Sequence, residues 1–141
     1  MKSLIEEKLE EYIEQRTSPE SEILHELSRE THLKTYYPRM LAGQVQGKFL
    51  EMIVRMLKPE RILEIGTFTG YSAIAMAKGL PENGKIITLE VNPEMEVLIN
   101  KFIRKSGLEN KIELQIGDAI EIIPKIKEEF DLVFIDADKE Q

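Results

Sequence analysis

The chain contains no cysteine. That excludes a disulfide framework, a thiolate metal site and a cysteine nucleophile. No apolar run approaches the roughly 20 residues needed to cross a bilayer. The N-terminus reads as an acidic amphipathic helix, not as a basic, apolar secretion signal, and a cytoplasmic location is the simplest reading. Positive charge is in short supply: 19 Lys and Arg face 26 Asp and Glu, for a formal charge of −7. Broad electrostatic binding to nucleic acid relies on Lys and Arg against phosphates and is disfavoured. Arg29, Lys34 and Arg39 are close enough in sequence to form a local basic patch. His25 and His32 have neither a cysteine nor a His-x₃-His partner nearby, so they read as structural or solvent-facing.

What is present suits one soluble α/β domain. The chain has 141 residues, 42% apolar and 32% charged, enough to bury a core. Two regions are expected: an N-terminal helical region over 1–57, acting as a cap, dimer surface or lid, and an α/β core over 58–141. The first helix is predicted from Ser3 to Gln15, with Ser3 and Glu6 as a capping box. The second starts at Ser18-Pro19, serine as cap and proline in the first turn. Thr31 to Arg39 reads as irregular, with Tyr36-Tyr37-Pro38 extended, because a residue before proline avoids the α region. The third runs from Gly43 to Leu57, with Phe49, Leu50, Ile53, Val54 and Leu57 inward. Strands at 61–65, 85–90, 111–116 and 131–135 then alternate with helices, which implies parallel pairing. Leu132-Val-Phe-Ile135 is apolar on both faces, as an interior strand should be. The sequence stops just after it, so the expectation is a fragment, or a sheet that something else completes.

The segment Arg61-Ile-Leu-Glu-Ile-Gly-Thr-Phe-Thr-Gly-Tyr-Ser72 reads as strand, glycine turn and helix start. Gly66 and Gly70 give G-x-x-x-G, without the middle glycine of the G-x-G-x-x-G that brings a pyrophosphate onto a helix. A nucleoside ligand without a pyrophosphate fits better, and S-adenosylmethionine is one. Glu64 could orient bound water or the ligand's ammonium. Backbone N–H groups at Gly66-Thr67, with Ser72, could meet its carboxylate. Glu90 ends the second strand, where an acid can bind two ribose hydroxyls. Asp118 could accept from the adenine amino group while the Ala119 N–H meets a ring nitrogen, or simply cap a helix. Asp136, Asp138 and Lys139 sit at the tip of strand four, where two carboxylates suit a hard cation and a lysine can accept a proton. A plain polar loop is the competing reading of those three.

The residues 61–72, Ile-Thr-Leu-Glu (87–90), Gly-Asp-Ala (117–119) and Val-Phe-Ile-Asp-Ala-Asp-Lys (133–139) together resemble the caffeoyl-CoA/catechol type of S-adenosylmethionine-dependent O-methyltransferase. Met40 to Leu50 is similar to the segment before that family's third helix. The resemblance implies a Rossmann-like class I methyltransferase sheet, strands one to four, with N-terminal helices. It implies cofactor contacts from Ala42, Glu64, Gly66, Thr67, Ser72, Glu90, Asp118, Ala119 and Asp138. It implies Asp136 as a ligand of Mg²⁺ or Ca²⁺, Lys139 as the group that takes the substrate proton, a catechol-like acceptor and a homodimer. The family's other metal ligands, an Asp-Asn pair, come from beyond strand four, so 141 residues alone are expected to bind cofactor weakly and turn over little. The alternatives are a methyltransferase for a hydroxylated uridine in tRNA, and a non-catalytic cofactor-binding fragment or assembly module. An NAD-dependent oxidoreductase comes last, because the glycine spacing is wrong for it.

Overall fold

In the computed structural model, residues 5–137 are described. Three helices come first: α1 (Glu7–Arg16), α2 (Glu22–Lys34) and α3 (Gly43–Leu57). Then β1 (Arg61–Ile65), α4 (Tyr71–Gly79), β2 (Lys85–Glu90), α5 (Glu96–Ser106), β3 (Ile112–Ile116), α6 (Ala119–Ile122) and β4 (Leu132–Ile135) follow. The strands form a parallel sheet in the order β3-β2-β1-β4. β1 and β2 are therefore interior, and their predicted bounds are the observed ones.

Strand alternation sorts the core into two faces. Ile62, Ile86 and Ile112 pack with Leu27, Leu50, Val54, Ile74, Met76, Ile99 and Phe102 from the helices. Leu63, Ile87 and Leu89 lie on the other face, covered by Ala119, Ile122, Ile126 and Phe130. At the lower rim the Asp131 carboxylate accepts from the N–H groups of Glu60 (2.8 Å) and Arg61 (3.1 Å), which fixes where β1 and β4 begin.

Four expectations need correction or bounding. The predicted Ser3 cap lies outside the described residues; α1 starts after Glu6, with no side-chain cap. α2 is capped by Ser21, whose hydroxyl accepts from the Leu24 N–H, not by Ser18. It also runs through Thr31 to Lys34, because Thr31 is buried and its hydroxyl bonds back to the Leu27 carbonyl within the helix. α3 turns Gly47, Leu50 and Val54 inward and leaves Phe49 and Leu57 exposed, since its close contact with α4 selects the glycine-bearing side. β4, by contrast, is as expected: an interior-type apolar strand at the edge of the four-stranded sheet, with Val133 and Ile135 about half exposed (49% and 54%).

The α3–α4 contact is tight. A Cβ on Gly79 would sit 2.8 Å from the Glu51 carbonyl oxygen and 3.2 Å from Val54. Alanine in a helix is ordinarily favoured over glycine by about 1 kcal/mol, but a main-chain oxygen cannot step aside. We expect Gly79→Ala to be net destabilising by about 1–3 kcal/mol, read as a lower urea midpoint. An unchanged or higher midpoint would show that the helices can separate freely.

Candidate active site

The site is built on the tips of β1, β2 and β3. β1 and β2 are buried, and the chain leaves β1 through a turn from Gly66 to Gly70. Gly66 (φ +99°) is required there: a Cβ would lie 2.5 Å from the Asp136 carbonyl oxygen, where β4 arrives beside β1. Phe68 takes a left-handed conformation (φ +53°) that is costly for a residue with a side chain. The turn is held by the neighbouring strand. The Gly66 and Thr67 N–H groups donate to the Leu89 carbonyl (2.9 and 3.1 Å), and the Gly70 N–H closes back on the Thr67 carbonyl (3.0 Å).

Beneath the turn is a buried carboxylate. Glu64 has no exposed surface. Its Oε2 accepts from the Ser72 hydroxyl on α4 (2.5 Å) and its Oε1 from Thr88 on β2 (2.6 Å). Thr88 is the register partner of Glu64. With the Thr88 proton committed to Glu64, the Thr67 hydroxyl 2.6 Å away must donate to Thr88. Glu64 thus ties β1, β2, α4 and the turn together. Burial pushes its pKa up to about 7, against the two hydroxyl bonds, with Asp136 and Glu90 adding to the rise.

Glu90, at the end of β2, faces the opening. Its Oε2 accepts from the Phe68 N–H (2.7 Å) and its Oε1 from the Asn92 N–H (3.0 Å). Asp118 caps α6 by accepting from the Ile120 N–H at 2.9 Å. A cleft of about 740 Å³ opens over these strand ends. Gly66, Glu90, Asp118, Ala119 and Asp136 line it, with Phe68, Leu89, Val91, Ile120 and Ile135 as apolar wall. The acids on this wall are Glu90, Asp118 and Asp136, and no Lys or Arg joins them among the described residues.

The structure therefore brings Gly66, Glu90, Asp118, Ala119 and Asp136 onto one cleft, as the sequence suggested. Ala42, Thr67 and Ser72 line a smaller adjoining hollow with Met40 and Asp136. Three expected roles change. The Gly66 and Thr67 N–H groups, expected at a ligand carboxylate, both donate to the Leu89 carbonyl instead. Glu64 does not line the cleft; it points into the helix-covered face, where both oxygens are taken, so its influence on a ligand is indirect. The Ser72 proton is committed to Glu64 and is not available to a ligand carboxylate. Asp138 and Lys139 lie outside the described residues. No group of three His, Asp or Glu able to hold a metal occurs among the described residues, so Asp136 belongs to no described metal cluster. Thr88 and Phe68 were missed. A threonine in an otherwise apolar interior strand, Lys85-Ile-Ile-Thr-Leu-Glu90, was the available signal for the first; the second depends on backbone shape alone.

The buried acid makes a signed prediction. A folded pKa near 7, above the ordinary 4.5, means the protonated form is favoured by folding. The contribution is fully present below about pH 4.5 and is lost as pH rises through about 7. Stability of Glu64→Gln relative to the parent should increase over that interval by roughly 2–3 kcal/mol, measured by urea unfolding at pH 4.5, 6 and 8. A difference that stays flat with pH would mean Glu64 is not held in this way.

Comparison with known proteins agrees with this architecture. An O-methyltransferase family model matches residues 14–141. The chain is 42% identical over 106 residues to a catechol O-methyltransferase of Niastella koreensis, covering 72% of this chain and 48% of that protein. It is 37% identical over 127 residues to caffeoyl-CoA O-methyltransferase 2 of Populus trichocarpa, covering 86% and 51%. The chain spans about half the length of these relatives. Among solved structures, the O-methyltransferase TomG of Streptomyces achromogenes, in complex with SAM, superposes with a TM-score of 0.86 at 31% identity, over 94% of this chain and 60% of that one. An O-methyltransferase from Bacillus cereus in complex with SAH gives 0.85 at 32% identity, over 94% and 61%. On the family match and these identities, the chain belongs to the O-methyltransferase family.

Proposed function

We propose that the cleft binds S-adenosylmethionine and serves methyl transfer to a hydroxyl of a catechol-like small molecule. One observation carries the reading: the cleft at the strand tips is walled by Glu90, Asp118 and Asp136 with no described cation among them. That lining suits a ligand with a sulfonium and an ammonium, and it opposes a pyrophosphate, which needs positive partners. SAM- and SAH-bound relatives of the same fold support it.

When bound, S-adenosylmethionine supplies a methyl group on a sulfonium centre. Glu90, already fixed by two backbone N–H groups, is placed to accept from the ribose hydroxyls. Asp118 and Ala119 would take the adenine edge, on a cleft wall that also carries Ile120 and Phe68. Gly66, Thr67 and Ala42 line the hollow proposed for the amino-acid end, and Asp138 is a further proposed cofactor contact. Glu64 acts through Ser72 and Thr88 by holding the turn. Lys139 is the proposed acceptor of the substrate hydroxyl proton. Asp136 would give one carboxylate to a divalent cation such as Mg²⁺ or Ca²⁺. Orientation of acceptor and cofactor then carries the rate. We further propose that two copies associate, since Phe49, Met52 and Met56 remain exposed on α3.

A second reading has its own observation. Tyr36 and Tyr37 are exposed, as are Arg29, Lys34 and Arg39 near them in sequence, with Lys34 paired to Glu30; aromatic and cationic groups together can stack on and pair with single-stranded RNA. Methyl transfer to a catechol panel and to bulk tRNA separates the two.

Calorimetric titration with S-adenosylhomocysteine should show binding that Glu90→Ala and Asp118→Ala each weaken by about tenfold, the order of one charge-assisted hydrogen bond. Unchanged affinity in both variants would remove the cofactor assignment. In a chain that turns over, Lys139→Ala should lower kcat by about 10²–10⁴-fold and leave the S-adenosylhomocysteine affinity within about threefold. Full activity in that variant would exclude Lys139 as the proton acceptor.

A further inference from the structure

The glycine turn is fastened from β2 by Leu89, Thr88 and Glu90, and from one further place. Thr69, wholly buried within the turn, has its hydroxyl 3.0 Å from that of Thr31, also wholly buried, on α2. Thr31 is the donor: its one hydroxyl proton lies between the Leu27 carbonyl at 2.8 Å and the Thr69 hydroxyl oxygen at 3.0 Å. The bond spans 38 residues of sequence and comes from outside the strand–turn–helix unit.

The helix that supplies it is itself anchored. Leu24 and Leu27 are core residues. Glu26 pairs with Lys105 and Glu30 with Lys101, each at 2.6 Å, which pins α2 to α5. Tyr71, the first residue of α4, donates its hydroxyl to Glu20 just before α2. Thr31 thus reaches the turn from a fixed base. The turn needs such support, because Phe68 is left-handed and a strained conformation persists only when its surroundings over-determine it. Phe68 lines the cleft, and Thr69 lines the adjoining hollow beside Ala42.

We propose that Thr31 is a positioning residue for the ligand-binding turn: its hydroxyl holds Thr69, and through Thr69 the 66–70 backbone keeps the shape that binds cofactor. The ligand part rests on the S-adenosylmethionine reading; the turn part does not. Valine replaces threonine at nearly equal volume and removes only the hydroxyl, and serine restores it, so the pair Thr31→Val and Thr31→Ser separates the bond from packing. Amide hydrogen exchange of the ligand-free protein is the first readout. Thr31→Val should speed exchange at Thr67–Gly70 by about tenfold or more, leave the β1 and β2 amides within about twofold, and be reversed in Thr31→Ser. Titration with S-adenosylhomocysteine is the second: affinity should fall about five- to tenfold in Thr31→Val and return to within about twofold in Thr31→Ser. Unchanged turn exchange overturns the proposal. Equal acceleration across the sheet overturns it too, as a sign of general destabilisation. So does a loosened turn with parental affinity. A parent chain that does not bind S-adenosylhomocysteine contradicts the cofactor reading instead, and the exchange data still decide whether Thr31 positions the turn.

Discussion

A buried carboxylate in the middle of the sheet is the constraint around which the rest is arranged. Glu64 lies on an interior strand with no exposed surface and a pKa pushed up to about 7 by that burial. Leaving it without partners would be costly. Its two oxygens are instead met by one hydroxyl from α4 and one from β2. Those partners constrain the geometry. β2 must pair with β1 in the register that puts Thr88 beside Glu64, and α4 must begin where Ser72 can reach down to the sheet. The chain between β1 and α4 has only the span from Gly66 to Gly70 in which to turn.

The shape of the opening follows from that turn. Gly66 allows β4 to close against the tip of β1, and Phe68 accepts a strained backbone so that its N–H reaches Glu90. Glu90 is thereby held at the rim with its carboxylate preorganised, and Asp118 is fixed similarly by capping α6. The acidic wall that the described residues give the cleft is thus a product of the bonds that make the turn. The helices before the sheet take part in the same construction: α2 reaches the turn through Thr31, and the loop ending α2's approach to α3 brings Met40 and Ala42 to the adjoining hollow.

Much of this was legible in the sequence, for identifiable reasons. β1 and β2 were bounded correctly because each is an apolar run ended by charge or glycine. G-x-x-x-G with Glu90 and Asp118 placed the cleft, since strand ends of a parallel sheet converge on one rim. What was not legible depends on tertiary choice. Ser18 and Ser21 are both good caps by composition, and only packing selects Ser21. Phe49 and Leu57 look inward by apolar character, but the α3–α4 approach requires the glycine side. Glu64 looked like a ligand contact because it stands at the end of β1, just before the glycine turn. Its direction follows from parity with Ile62 and Ile86, which face the helices, and the pairing that reveals this is not visible in a single strand. Thr31 and Thr69 are unremarkable apart and meaningful only together.

The buried Glu64 network and the turn above it are proposed to support a cofactor cleft at the tips of β1, β2 and β3. Mapping backbone amide shifts on titration with S-adenosylhomocysteine tests it most directly. The largest changes should fall on residues 66–70, 90–92 and 117–120, with little change along the exposed face of α3 at Phe49, Met52 and Met56. Changes centred on that helix face, with the three rim segments unmoved, would contradict it.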